Sequence, residues 1–118
     1  MTDRAMTGVF SRAFAQPLKL LGQTEASLSS YAVFWAVAFN EGSTQVEIGR
    51  LTGLSAKTVS RVISQLGDTP GGRGWIRQAF DSSDRRVRRL HLTAEGKQVR
   101  RRLVKDMQDF SAGLEASA

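Results

Sequence analysis

Apolar residues recur at Met6, Val9, Phe10, Ala13, Phe14, Leu18 and Leu21, the three-and-four spacing of one helix face. This predicts a helix over 6–21, with Pro17 kinking or breaking it. From Tyr31 to Phe39 the chain is apolar almost all round, which predicts a central, buried helix capped by Ser29 or Ser30 and ended by the "NEG" of Asn40–Gly42. "TQVE" at Thr44–Glu47 has the form of a capping box. It opens a short third helix expected to bury Val46, Ile48 and Leu51 and to stop at Gly53. Ser55 then caps a fourth helix, in which Val59, Val62, Ile63 and Leu66 sit at i, i+3, i+4 and i+7 and face the core.

Beyond Leu66 the period changes. After the turn-rich "GDTPGGRG", the stretches "WIRQAF" and "RRVRRLHL" read as two strands of a hairpin joined by a short polar turn at Asp81–Ser83. Alternation puts Leu90 and Leu92 on one face and Arg89 and His91 on the other. Thr93 caps a last helix whose Val99, Leu103, Met107, Phe110 and Leu114 form a seam able to meet another helix. The fold class is therefore mainly α with a two-stranded β-hairpin. The tight "LTGLS" link between the third and fourth helices, followed by a hairpin, makes this a winged helix-turn-helix. At 118 residues one domain is expected: an N-terminal helix over 1–22, a core over 28–93 with the wing at 74–93, and a C-terminal helix over 94–118.

Charge sharpens this picture. The chain carries net +6, and between Arg85 and Lys105 nine Lys/Arg face the single acid Glu95. That segment alone is net +8 and the remainder net −2, so the positive field belongs to one region and favours an acidic partner. On the fourth helix Lys57, Ser60, Arg61 and Ser64 point away from the apolar stripe, with Thr58 and Gln65 beside them. Short donors and acceptors with two cations suit close approach to base edges and phosphates. An ordinary solvated face has the same composition, as do Lys97, Arg101, Arg102 and Lys105 on the last helix.

No cysteine is present and there is one histidine, His91. These counts exclude a disulfide framework, thiol sensing and cysteine-based zinc sites, and leave little with which to build a catalytic base or nucleophile. No metal, cofactor or enzymatic activity is expected. Glu41 and Glu47 flank helix ends, where capping explains them, and "DTPGGR" lacks the lysine and serine of a phosphate loop. The first twenty residues do not pattern as a signal peptide, and the longest apolar run is too short to span a bilayer. A cytoplasmic protein without a membrane role is expected.

"STQVEIGRLTGLSAKTVSRVISQL", "GWI" and "DRRVRRLHLTAEGK" resemble the MarR family of bacterial transcriptional regulators. The family's wing signature is met by Asp84, Arg86, Leu90, Leu92 and Thr93, and the resemblance spans Leu28–Lys97. It implies a recognition helix from Ser55 to Leu66 in the major groove of double-stranded DNA, with Ser55 at its cap and Lys57, Thr58, Ser60, Arg61, Ser64 and Gln65 toward bases and phosphates. It also implies an Asp84–Arg86 pair across the wing, leaving Arg85, Arg88 or Arg89 for the minor groove; Arg86 is counted with them among the DNA-facing wing residues. Arginine at a thin tip suits the negative potential of a narrow groove.

The resemblance further implies a homodimer through the N- and C-terminal helices, a pseudo-palindromic operator and repression. An effector, of unknown identity, would be sought near Phe14, Tyr31, Phe34 and Trp35. Two departures stand out. "DTPGGR" is longer than the family connection and predicts an offset wing or an extra loop. The C-terminal part is shorter than in the family, which leaves a smaller two-fold interface to the two terminal helices. The rival reading is a phage or plasmid winged-helix replication or architectural factor without ligand response.

Overall fold

The computed structural model describes residues 2–22 and 27–116. Along the chain run α1 (Asp3–Leu21), α2 (Leu28–Phe39), α3 (Gln45–Thr52), α4 (Ala56–Leu66), β1 (Ile76–Phe80), β2 (Arg88–Leu92) and α5 (Ala94–Ala116). Met1 and residues 117–118, assigned above to the terminal helices, lie outside the described residues. Two compact units result: α1 with the chain from Arg100 onward, and α2–α4 with the hairpin and the first turns of α5.

In the first unit Pro17 neither ends nor breaks α1, which runs 19 residues through it. The ring removes one backbone donor, at a cost of roughly 3 kcal/mol in a helix interior; Pro17 is buried, and the apolar area it removes from water offsets part of that cost. Arg12 of α1 donates from Nε and Nη2 to the two carboxylate oxygens of Asp106 on α5, at 3.0 and 2.7 Å, and stacks over the Phe110 ring. Gln16 also donates to Asp106. Arg12, then Gln16, hold the Asp106 carboxyl below its ordinary 3.8. A carboxyl depressed in the folded state stabilises it when ionised, and that contribution disappears as pH falls through the folded value. The resistance of this protein to denaturant is expected to weaken from about pH 4 downward, and Asp106→Asn to flatten that dependence.

The second unit holds the core. Val33, Phe34 and Val37 of α2 pack with Ile48, Val59, Val62, Ile63, Leu66, Ile76, Leu90 and Leu92, all buried. The Phe34 ring meets Trp35 and Trp75 edge-on, with centroids 5.1 and 5.6 Å apart, the geometry aromatic quadrupoles favour. Phe34 therefore belongs to the core. Burial pushes the Tyr31 phenol up, against the opposing charge of Arg73, and its hydroxyl has no hydrogen-bond partner among the described residues.

Several local expectations are corrected. The cap of α2 is Ser27, whose hydroxyl accepts from Ser30 N–H; each candidate serine has the chemistry, and the three-residue reach to a free N–H selects Ser27. On α3 only Ile48 is buried, while Val46 and Leu51 are 64% and 59% exposed. A helix of eight residues packed on the core along one line has room for a single inward side chain. The hydroxyl half of the box forms, Thr44 Oγ1 accepting from Glu47 N–H. Glu41 caps no helix: its Oε1 accepts from Leu92 N–H at 2.8 Å.

β1 and β2 pair antiparallel from Ile76↔Leu92 to Phe80↔Arg88, so β2 begins at Arg88 and the connection occupies residues 81–87 instead of three. The loop closes through Asp81 N–H to Val87 O and Val87 N–H to Asp84 O. Before β1, the residues after α4 leave and return to it: Arg73, Gly74 and Trp75 N–H donate to the carbonyls of Gln65, Gly67 and Leu66. The added glycine-rich stretch is an excursion off the end of α4. Thr93 ties α5 to this junction, its hydroxyl donating to Gly74 O and accepting from Gly96 N–H.

Candidate nucleic-acid interface

Gly53, at φ 76°, ends α3 in the left-handed conformation that favours glycine. Ser55 then starts α4, its hydroxyl accepting from Thr58 N–H and donating to Thr58 Oγ1. The four apolar positions of α4 are buried, which fixes the helix's rotation. Lys57, Ser60, Arg61, Ser64 and Gln65 are consequently exposed together on the outer face, with Thr58 half-buried beside them.

The face is not uniform in what it can offer. Ser55 and Thr58 satisfy one another, and the Ser64 hydroxyl bonds back to Ser60 O. The Lys57, Arg61 and Gln65 side chains make no hydrogen bond or ion pair among the described residues, so their donors remain available.

The hairpin separates its four arginines by role. Arg85 lies at the tip, exposed and without a side-chain partner among the described residues. Arg86 is 90% exposed and pairs with Asp84 at 3.1 Å, within one turn of the loop and not between the strands; Asp84 Oδ1 also accepts from Arg86 N–H. The Arg86 side chain, then its N–H, hold the Asp84 carboxyl low. Arg88 is exposed and lies over the Phe80 ring, 5.4 Å from its centroid.

Arg89, expected at the minor groove, is half-buried and holds two acceptors of the protein itself. Nη1 donates to Gly42 O at 2.9 Å and Nη2 to Asp81 Oδ2 at 3.1 Å. Asp81 Oδ1 accepts from the Ser83 N–H and hydroxyl; the Ser83 N–H, followed by Arg89, lowers the Asp81 carboxyl. Phe80, 63% exposed, and Asp81 are the wing residues that sequence reading missed. Strand alternation gave no signal for Phe80, since it places the ring on the face of Ile76, Leu90 and Leu92, and its exposure comes from its position at the loop end of the hairpin.

Two half-turn features complete the frame. Gly42 N–H donates to Leu90 O and Leu90 N–H to Ser43 O, so the segment before α3 bridges to β2 as a minimal third strand. Helix, turn, helix and hairpin are thereby one framework. Among the described residues no cluster of His, Cys, Asp and Glu could hold a metal ion, and no helix is long and apolar enough to cross a membrane.

An outward polar helix, a preceding support helix and a basic two-stranded hairpin define a winged helix-turn-helix protein. No protein-family model and no curated protein matches the sequence. Solved structures do. The PcaV transcriptional regulator from Streptomyces coelicolor, solved with its natural ligand, is 30% identical over 92% of this chain and 77% of its own, at a TM-score of 0.60. FabT of Streptococcus pneumoniae, solved with DNA, is 18% identical over 98% and 80%, at 0.72. A MarR-family regulator from Silicibacter pomeroyi is 20% identical over 95% and 70%, at 0.62. The chain belongs to the MarR family. The family is one of transcriptional regulators.

Proposed function

We propose that the protein is a homodimeric repressor that occupies a pseudo-palindromic operator in promoter DNA, acting in the cytoplasm. In this reading α4 lies in the major groove, where Arg61, Lys57 and Gln65 reach base edges and phosphates and Ser60 and Ser64 allow close approach. Arg85 and Arg88 meet the minor groove or its phosphates. The observation that carries the reading is the outer face of α4, whose longest donors are unspent while its inner face is locked into the core. FabT, seen with DNA, has the same fold.

The dimer is supported by a stripe on α1. Met6, Phe10, Phe14 and Leu18 recur every four residues and are 39%, 57%, 56% and 40% exposed. A row of large apolar side chains left in water costs free energy that a second copy would remove. The unit containing α1 and the later part of α5 would then join two copies, and the unit containing α4 and the hairpin would read DNA.

Selection of preferred duplexes from a random library tests the proposal. A short inverted repeat is expected, with half-sites about one helical turn apart and affinity at least about a thousandfold above random sequence. Recovery of no motif, with steep salt dependence on every duplex, would establish the architectural or replication reading in its place.

A further inference from the structure

The hairpin carries an acid where charge alone would disfavour one. Asp81 stands among Arg85, Arg86, Arg88 and Arg89 on the element that approaches phosphates, yet its side chain is only 18% exposed and its two oxygens are both engaged. Its partner is equally unusual. The Arg89 guanidinium uses two nitrogens on two different segments, the Gly42 carbonyl before α3 and the Asp81 carboxylate at the start of the hairpin loop. Two of its five N–H donors are spent on joining the hairpin to the helix-turn-helix. A planar guanidinium can make both contacts at fixed directions, which a lysine ammonium on its flexible stem does not reproduce.

We infer that Arg89 and Asp81 form a clamp that sets the position of the wing relative to α3 and α4, so that Arg89 is a positioning residue and Arg85 and Arg88 are the residues it places against DNA. The inference rests on the DNA-binding reading above. Its physical content is a sign. Neutralising an acid on a DNA-facing element reduces repulsion and strengthens binding if that acid is a bystander. If the acid positions the element, the same change weakens binding.

The experiment compares wild type with Asp81→Asn, Arg89→Lys, Arg89→Ala and the Asp81→Asn/Arg89→Lys double variant. Each is titrated with the selected duplex and with random duplex at several salt concentrations, and thermal unfolding of each confirms the fold. Asp81→Asn is expected to weaken binding to the selected duplex about ten-fold, the scale of a lost hydrogen bond to a charged group. Arg89→Lys is expected to lose as much as Arg89→Ala although its charge is kept, and the double variant to lose no more than either single one. Asp81→Asn binding at or above wild-type affinity, or Arg89→Lys matching wild type, overturns the clamp while leaving DNA binding intact. Wild type binding neither duplex overturns the underlying reading and the clamp with it, and the two failures are distinguished by the wild-type titration alone.

Discussion

Gly96→Ala is expected to destabilise the fold by about 2–3 kcal/mol or more, the reverse of what the same change does in most helices. Gly96 lies in the first turn of α5, where alanine ordinarily gains roughly 1 kcal/mol through backbone entropy and helix propensity. Here a Cβ would stand 2.1 Å from the Trp75 carbonyl oxygen and 3.0 Å from its carbon. The obstacle is backbone, and it is not free to retreat. Trp75 O accepts from Thr93 N–H, Trp75 N–H donates to Leu66 O, and the Trp75 ring packs on Phe34. Relief therefore requires α5 to move off the β1 junction, breaking the Thr93 bonds to Gly74 O and Trp75 O. Urea unfolding followed by tryptophan fluorescence measures the loss; an unchanged midpoint would mean that α5 does not sit this close to β1.

Arg61→Ala should cost about 1–3 kcal/mol on the selected operator and much less on random duplex, collapsing the difference between them. Arg61 is exposed at the middle of α4 with unspent donors, and a guanidinium is suited to the paired acceptors of a guanine edge. Arg85→Ala and Arg88→Ala should behave differently. Contacts to phosphate carry no base information, so both duplexes should weaken alike and the salt dependence should flatten by about one unit of log–log slope per removed contact. Equal losses on both duplexes for Arg61→Ala would remove it from base reading.

Much of this architecture is legible in the order of residues because a single rule governs it. On α4 the apolar positions, the Ser55 cap and the Gly53 stop all point the same way, and the helix lies where they place it. The same holds for the alternation that buries Leu90 and Leu92. Reading fails where several residues share one chemistry and geometry chooses among them. Three serines precede Tyr31, and only the reach of Ser27 to Ser30 N–H separates them. Val46 and Leu51 have the right character for burial, but a two-turn helix has no second partner to cover them.

The wing shows the same limit in charge. Composition announces a basic hairpin without telling a free arginine from a spent one. Arg89 differs from Arg88 only in the strand face it occupies, and its acceptor Gly42 O lies 47 residues away. Long-range pairing of this kind has no local signature. Glu41, whose carboxylate serves Leu92 N–H from 51 residues away, escapes notice for the same reason.

The excursion after α4 has a bearing on how such a protein can diversify. Its chain departs at Gly67 and is bonded back to the same helix end by Gly74 and Trp75, so the span between departure and return stays constant whatever lies between. Asp68–Gly71 face solvent, while Gly72 is confined, since a Cβ there would meet the Gly67 carbonyl at 2.2 Å. Lengthening the outer part costs only about 0.6 kcal/mol per doubling. A lineage, or an engineer, can therefore graft new sequence at Thr69–Pro70 beside the end of α4 without altering the register of the strands that follow.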